Sequence, residues 1–447
     1  MKIKTFIKKG FLYVLTAGFL LAGNALSIRA DARVALTSEV FKDKKLLEAV
    51  KNYDRNQDGY LDSDEIAMVS SINMSESITD AAGLEYLTNL DSVKFAYKGT
   101  VLKLGKSVKA IQLELNTASI RIDAPGAESL NIGSYYGEGM PKSCKTVDVS
   151  KCANLKDVFL SASGMTSMKF PANGGNIETL KILNSDMKTM TLPTAKKLTD
   201  LTISLNGKLT TLDLKNVPNL QELHIDNNEN LKTLKLDKNK QLKGLTCWNT
   251  SITKLDLSKN TNLTSLSCPK NKLTSLDCSK NTKLTALQCY ENKLTSLNVK
   301  KASKLEEVSC SDNAMKSLDL SNNKKLKTVF CNGNPLKSLY VKDKANILKK
   351  VSVAPALVSA KAKRGSDGGS VVTVNLKKNN KIKAYYVIIK STEYGISEEK
   401  QESGPTVVFD GIGYGKHDIQ VLSGVDYRGT TVFFKEALYK NKLTVKE

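Results

Sequence analysis

Histidine is nearly missing from this chain of 447 residues: His224 and His417 are the only two, and they stand far apart. That leaves no nucleophile with an imidazole beside it. A phosphate-cradling glycine loop and the His/Glu spacing of a zinc hydrolase are absent as well. The acidic pair Glu306 and Glu307 falls on a repeat surface with no implied pocket. The expectation is a protein that is not an enzyme. Arginine is sparse and tryptophan occurs once, at Trp248. No apolar run reaches the roughly 20 residues that a membrane-spanning helix needs, which argues against an integral membrane protein.

The longest apolar run, from about Phe11 to Ala22, follows four lysines and precedes small residues at Gly23/Ala25 and Ala30/Ala32. That order predicts a cleaved export signal over residues 1–32 and a secreted protein, loosely associated with the cell surface. No cysteine follows the run, so no lipid anchor is expected. The closing NKLTVKE carries neither an LPxTG-type sorting motif nor an apolar tail, so covalent wall anchoring is not expected. The formal charge of +22 falls to about +18 without residues 1–32, which hold Lys2, Lys4, Lys8, Lys9 and Arg29 against Asp31. Its lysines recur once or twice per repeat with little aromatic interleaving, unlike a nucleic-acid binder, so anionic wall polymers are the expected partners for that charge.

Those repeats are the main content of the chain. LTSLSCPKNKL, LTALQCYENKL and LEEVSCSDNAM follow one another at a 21-residue step, with cysteines at 247, 268, 289, 310 and 331. Upstream the same frame puts isoleucine in the cysteine's place, in LTDLTISLN and LQELHIDNN. This is the L-x-x-L-x-L-x-x-N pattern of leucine-rich repeats. Equivalent positions fall near 95, 113, 132, 160, 182, 203, 225 and then at the cysteines, about a dozen coils. Each coil holds a fainter second copy, such as LTSLDCSKN, so a coil is two half-turns. Too few residues remain for a full helix, and the convex side is expected to be extended or a single short turn. Asn206, Asn228, Asn271, Asn292, Asn313 and Asn334 form one column whose amides can satisfy buried backbone groups.

A thiol at every coil has three readings: disulfides, a metal ladder or core packing. Stacked strands sit about 4.8 Å apart, whereas a disulfide brings β-carbons to about 3.8 Å. A tetrahedral metal site needs four ligands converging on a point, which a linear stack does not offer. Packing, with cysteine as a small apolar side chain, fits best. Cys278 takes the inward site of the opposite half-turn, and a bridge between Cys144 and Cys152 stays open.

The cysteine, leucine and asparagine columns resemble those of the internalin subgroup of bacterial leucine-rich repeat proteins, in which a cysteine ladder replaces one leucine per repeat. The resemblance is strong over residues 160–345 and weaker over 84–160. It implies a concave face that binds another macromolecule.

Ahead of the repeats, DRNQDGYLDSDE fits the twelve-residue EF-hand calcium loop. Asp54, Asn56 and Asp58 supply side-chain oxygens, Gly59 the sharp turn, Tyr60 a carbonyl, Asp62 a water-mediated contact and Glu65 a bidentate carboxylate. Apolar Phe41, Leu46, Leu47 and Val50 mark a helix before the loop, and Ser63 is expected to N-cap the helix after it. No second loop exists to pair with it, which lowers the expected affinity and leaves a structural relic as the alternative; bound Ca2+ is expected to order a cap over the otherwise exposed first coil.

Outward strand positions place Trp248 and Tyr290 in the column after the cysteine and Phe330 in the column before it, as candidate partner anchors. After Tyr340 the texture changes to alternating β-rich runs with Gly, Asn and Asp turns, which predicts an immunoglobulin- or fibronectin III-like sandwich.

The fold expected is α/β to mainly β: signal 1–32, EF-hand-like helical cap 33–83, repeat solenoid 84–345 and β-sandwich 346–447. The function expected is secreted interaction or adhesion, binding a protein or glycan of host or bacterial surface through the concave face. The alternative is a structural envelope protein held by its basic charge.

Overall fold

The computed structural model describes residues 33–133, 144–161, 164–345, 357–364, 370–378, 382, 384–392, 397–413, 415–427 and 430–445. The expected signal segment lies outside them.

Alternation of apolar and polar residues sets one short strand per coil, and its register follows the predicted columns. Phe95 pairs with Leu113, Leu113 with Ile132, Ile132 with Leu160, Leu160 with Ile182, Ile182 with Ile203, Ile203 with Ile225, and Ile225 with Cys247. Every pairing between coils along this sheet, from Ser71–Ile78 to Thr328–Phe330, is parallel, as a solenoid requires. The opposite side of the coil is extended too, with short parallel pairs such as Ser275–Asp277 beside Ser296–Asn298. Between the two sheets lies a continuous core of leucine, isoleucine, valine and cysteine.

Coiling starts earlier than the sequence indicated. Strand Ser71–Ile78 already pairs with Ser92–Tyr97, so the first coil lies inside the residues assigned to the cap. What precedes it is a helix α1, Lys44–Lys51, and a single turn of helix α2, Ser63–Met68. Phe41, Leu46, Leu47 and Val50 are buried against the first coils.

Two asparagine ladders fasten the corners. Asn292 donates to the carbonyls of Cys268 and Cys289 at 2.9 and 3.2 Å and accepts from the Leu273 amide at 3.0 Å. Asn313 repeats the pattern one coil on, reaching the Cys289 and Cys310 carbonyls. At the other corner Asn260, Asn281 and Asn323 each donate to two carbonyls of the preceding coil. That second column lacks one rung, where Ala302 stands.

Beside the first ladder runs a file of left-handed residues that the sequence does not announce: Asn184, Leu205, Asn227, Asn249, Lys270, Glu291 and Asp312, with φ between 51° and 60°. Their amides each donate to the next coil, as from Lys270 to the Tyr290 carbonyl at 3.1 Å. Non-glycine residues there are strained by roughly 1–3 kcal/mol each, so the inter-coil hydrogen bonds must hold them.

Seven strands between Leu357 and Val445 form two sheets around a core of their own that includes Val374, Val387, Val407 and Val421. One sheet is Leu357–Arg364, Ser370–Leu376 and Thr406–Asp410. The other contains Ser397–Glu402, Ala384–Ser391, Gly415–Tyr427 and Thr430–Val445. The last strand adds in parallel to the final coil, pairing Thr431 with Thr328, Val432 with Val329 and Phe433 with Phe330. A single sheet therefore continues from the solenoid into the C-terminal domain. An open strand edge is a template for unwanted pairing, and this addition covers it.

Candidate functional site

The main sheet turns alternate positions outward. Along the column Asn73, Lys94, Gln112, Asn131, Phe159, Lys181 and on through His224, Thr246, Ser267, Gln288 and Ser309, no side chain is buried, while both neighbours of each rung point into the core. This open, rigid sheet is the candidate docking face.

Trp248 stands on it half-buried, on the rung after Asp226. The Lys270 ammonium lies over its ring, 5.6 Å from the centroid, a cation–π contact within the molecule. Burial raises the Asp226 carboxyl pKa, against the opposing influences of His224 and the Trp248 amide.

Tyr290 is half-buried too, and its phenol pKa is raised first by burial and then by the charges of Glu291 and Glu399. Glu399 belongs to strand Ser397–Glu402, so the C-terminal domain reaches the face at this coil. Ser311 and Asn332, later in Tyr290's column, turn inward and bond to each other at 2.7 Å.

Phe330 has its partners within the chain. Its ring stacks on Phe433 at 4.5 Å and meets Tyr386 edge-on at 5.4 Å. Tyr386 is in turn hydrogen-bonded to Glu399, which together with burial raises its pKa. The three rings form an interdomain joint, and the open face ends before Phe330.

The eight cysteines are free, buried thiols. Cys144 and Cys152 share no bond: the Cys152 thiol donates to the Ile122 carbonyl at 3.3 Å and the Cys144 thiol to that of Thr146 at 3.6 Å. Burial pushes Cys278 and Cys310 up to about 12 and Cys289 well above the ordinary thiol value. Cys268 is raised as well, by its hydrogen bond with Cys247 and then by burial. Thiols so placed stay protonated and unreactive near neutrality.

At the other end, the DRNQDGYLDSDE loop closes on its own amides. Asp54 accepts from Gly59 at 3.0 Å, with Gly59 at φ 82° in the sharp turn. Asn56 accepts from Asp58, and Asp58 from Tyr60, both at 2.9 Å. Asp62, not Ser63, N-caps α2, and Glu65 completes a capping box by accepting from the Asp62 amide at 3.0 Å. The other Glu65 oxygen accepts from Arg55 at 2.7 Å. Strand Val34–Ala35 pairs with Tyr60–Leu61 and braces the loop where a second EF-hand would normally do so.

The loop's oxygen donors suit a hard cation, and the Asp54 Oδ1 is buried with no hydrogen-bond partner. Glu65 is turned to amides, and among the described residues no three His, Cys, Asp or Glu side chains converge on one point.

No protein-family profile and no curated relative matches the chain. Among solved structures it is similar to the functional domain of InlJ from Listeria monocytogenes, described as including a cysteine ladder. The identity is 17% over 93% of this chain and 100% of that one, with a TM-score of 0.41. It is also similar to YopM from Yersinia enterocolitica WA-314, at 16% identity over 66% of this chain and 69% of that one, with a TM-score of 0.43. The assignment as a leucine-rich repeat solenoid rests on the coil register itself. No helix among the described residues is long and apolar enough to cross a membrane.

Proposed function

We propose that this chain is an exported, non-enzymatic interaction protein whose concave sheet face docks a protein partner. One observation carries the reading: an unburied column of side chains that runs from Asn73 to Ser309 along a rigid parallel sheet. A preorganised surface of this kind loses little entropy on binding, and half-buried aromatics such as Trp248 and Tyr290 are the side chains that dominate interfaces. The C-terminal domain, read as an immunoglobulin-like sandwich, closes the last coil and walls the face beyond Tyr290. Calcium in the 54–65 loop orders the helical cap over the first coil. The buried, unpartnered Asp54 oxygen supports that step.

The test compares wild type with the Trp248→Ala/Tyr290→Ala double variant against surface-protein fractions, with folding of both checked by thermal melting. Loss of a specific captured partner from the variant supports the reading, and equal recovery of every partner removes it.

A further inference from the structure

A second surface lies along the corner that joins the convex strands to the main sheet. Its successive turns read DKNKQ, SKNTN, SKNTK, KKASK and SNNKK, at residues 237–241, 258–262, 279–283, 300–304 and 321–325. They hold ten lysines, one aspartate and no arginine.

The hydrogen bonds of the corner ladder fix the alignment. Asn281 donates to the Asn260 carbonyl and Asn260 to that of Asn239, so Lys238, Lys259, Lys280 and Lys301, each one residue before the ladder, occupy successive rungs. Lys283, Lys304 and Lys325 make a second file alongside. Rungs are about 4.8 Å apart, so like charges stand within one Debye length of each other, in an arrangement that repels.

Elsewhere on the solenoid four lysines meet an acid of a neighbouring rung. Lys156 meets Glu128 at 2.6 Å, Lys208 meets Asp186 at 2.7 Å, Lys235 meets Asp213 at 3.4 Å and Lys327 meets Glu306 at 2.6 Å. Along the corner, among the described residues, only Lys238 has an acid within ion-pair distance, Asp237 at 3.5 Å. The neighbouring aspartates Asp256, Asp277 and Asp319 accept from the amides of Ser258, Ser279 and Ser321; Lys259 and Lys300 act on Asp256 and Asp319 at longer range, but none of these aspartates comes within ion-pair distance of a strip lysine.

We infer that this double file is a docking strip for a linear, base-free phosphodiester polymer lying parallel to the solenoid axis. The polymer supplies the counter-charges that the coil sequence withholds. Lysine engages phosphate as a compact point charge, whereas the arginine fork that reads base edges bidentately is missing from the strip. No arginine occurs between Arg121 and Arg364, and the five turns contain no aromatic ring on which a base could stack. The strip is distinct from the concave face, so a partner and a polymer can be held together.

The test measures binding of the full chain to a labelled synthetic glycerol-phosphate polymer by fluorescence anisotropy at several salt concentrations, with duplex DNA of equal charge as the comparison. The quadruple variant K259Q/K280Q/K301Q/K304Q should weaken polymer binding by about tenfold or more and lower the salt slope by about one per engaged lysine. Neutralising the ion-paired set, K156Q/K208Q/K235Q/K327Q, removes the same charge and should change affinity by less than about threefold. Equal loss in the two variants would mean that net charge alone attracts the polymer and would overturn the strip. So would absence of binding by the wild type at low salt, or DNA binding as tight as that of the polymer.

Discussion

The rings of Phe330 and Phe433 lie 4.5 Å apart and only 4° from parallel, joining the last solenoid coil to the final strand of the C-terminal domain. The Thr430 hydroxyl donates to the Leu326 carbonyl at 2.7 Å just beside them. Phe433 is fully buried, so Phe433→Ala should cost about 3–5 kcal/mol. The cost should appear at this joint. Limited proteolysis should then release the C-terminal domain earlier than in the wild type, and the uncovered edge at Thr328–Phe330 should make the protein associate in a concentration-dependent way. Unchanged cleavage would mean that the strand addition does not hold the domain.

Asp43 ties the cap to the first coil. It N-caps α1 and also accepts from the Thr79 amide at 2.8 Å and hydroxyl at 3.0 Å. Burial alone would raise its pKa, but the hydrogen bonds from Thr79, Leu46 and Lys45 outweigh it and hold the carboxyl below the ordinary 3.8. A depressed carboxyl contributes its full stability above its unfolded pKa and loses it as the pH falls through the folded one. Asp43→Asn should therefore be less stable than wild type near neutrality, and the gap should close as the pH falls from 3.8 through the lowered folded pKa. Melting temperatures of the two proteins across that range check it.

Calcium should protect residues 38–69 from protease and raise the melting temperature, by about 2.7 kcal/mol of stabilisation at a hundred times Kd. Chelation should reverse both effects. Asp54→Ala should remove the response to calcium. Identical cleavage of the wild type with and without calcium would remove the ion from the cap.

Ala302 shows that the corner ladder tolerates one missing rung, so Asn281→Ala should destabilise without unfolding the chain. It removes two donors, to the Leu257 and Asn260 carbonyls, at a cost of about 1–3 kcal/mol. Chemical denaturation of wild type and variant measures the difference.

The solenoid was legible because its apolar spacing repeats every 21 residues and a one-residue slip would turn the leucine column outward. Position by position, the predicted column from 95 to 247 is the column that pairs. What escaped has no local signal. Strand Val34–Ala35 is two residues long, and its partner Tyr60–Leu61 lies across the loop. The addition of Thr431 beside Thr328 joins strands about a hundred residues apart, so Phe330 read as an exposed anchor although it packs within the chain. The left-handed file went unseen because glycine and asparagine usually mark that conformation, and Leu205, Lys270 and Glu291 occupy it here. Trp248 and Tyr290 are half-buried in the column after the cysteine, whereas Pro269, Ser311 and Asn332 of that column are buried, which period-two alternation alone did not foresee.

The account depends on cysteines that fill space at one rung per coil. The most direct measurement is titration of the unreduced protein with a thiol reagent, before and after denaturation. The buried thiols predict almost no reaction in the folded chain and all eight thiols once it is unfolded. Rapid reaction of several thiols in the folded state, or fewer than eight after unfolding without reductant, would contradict the coil register.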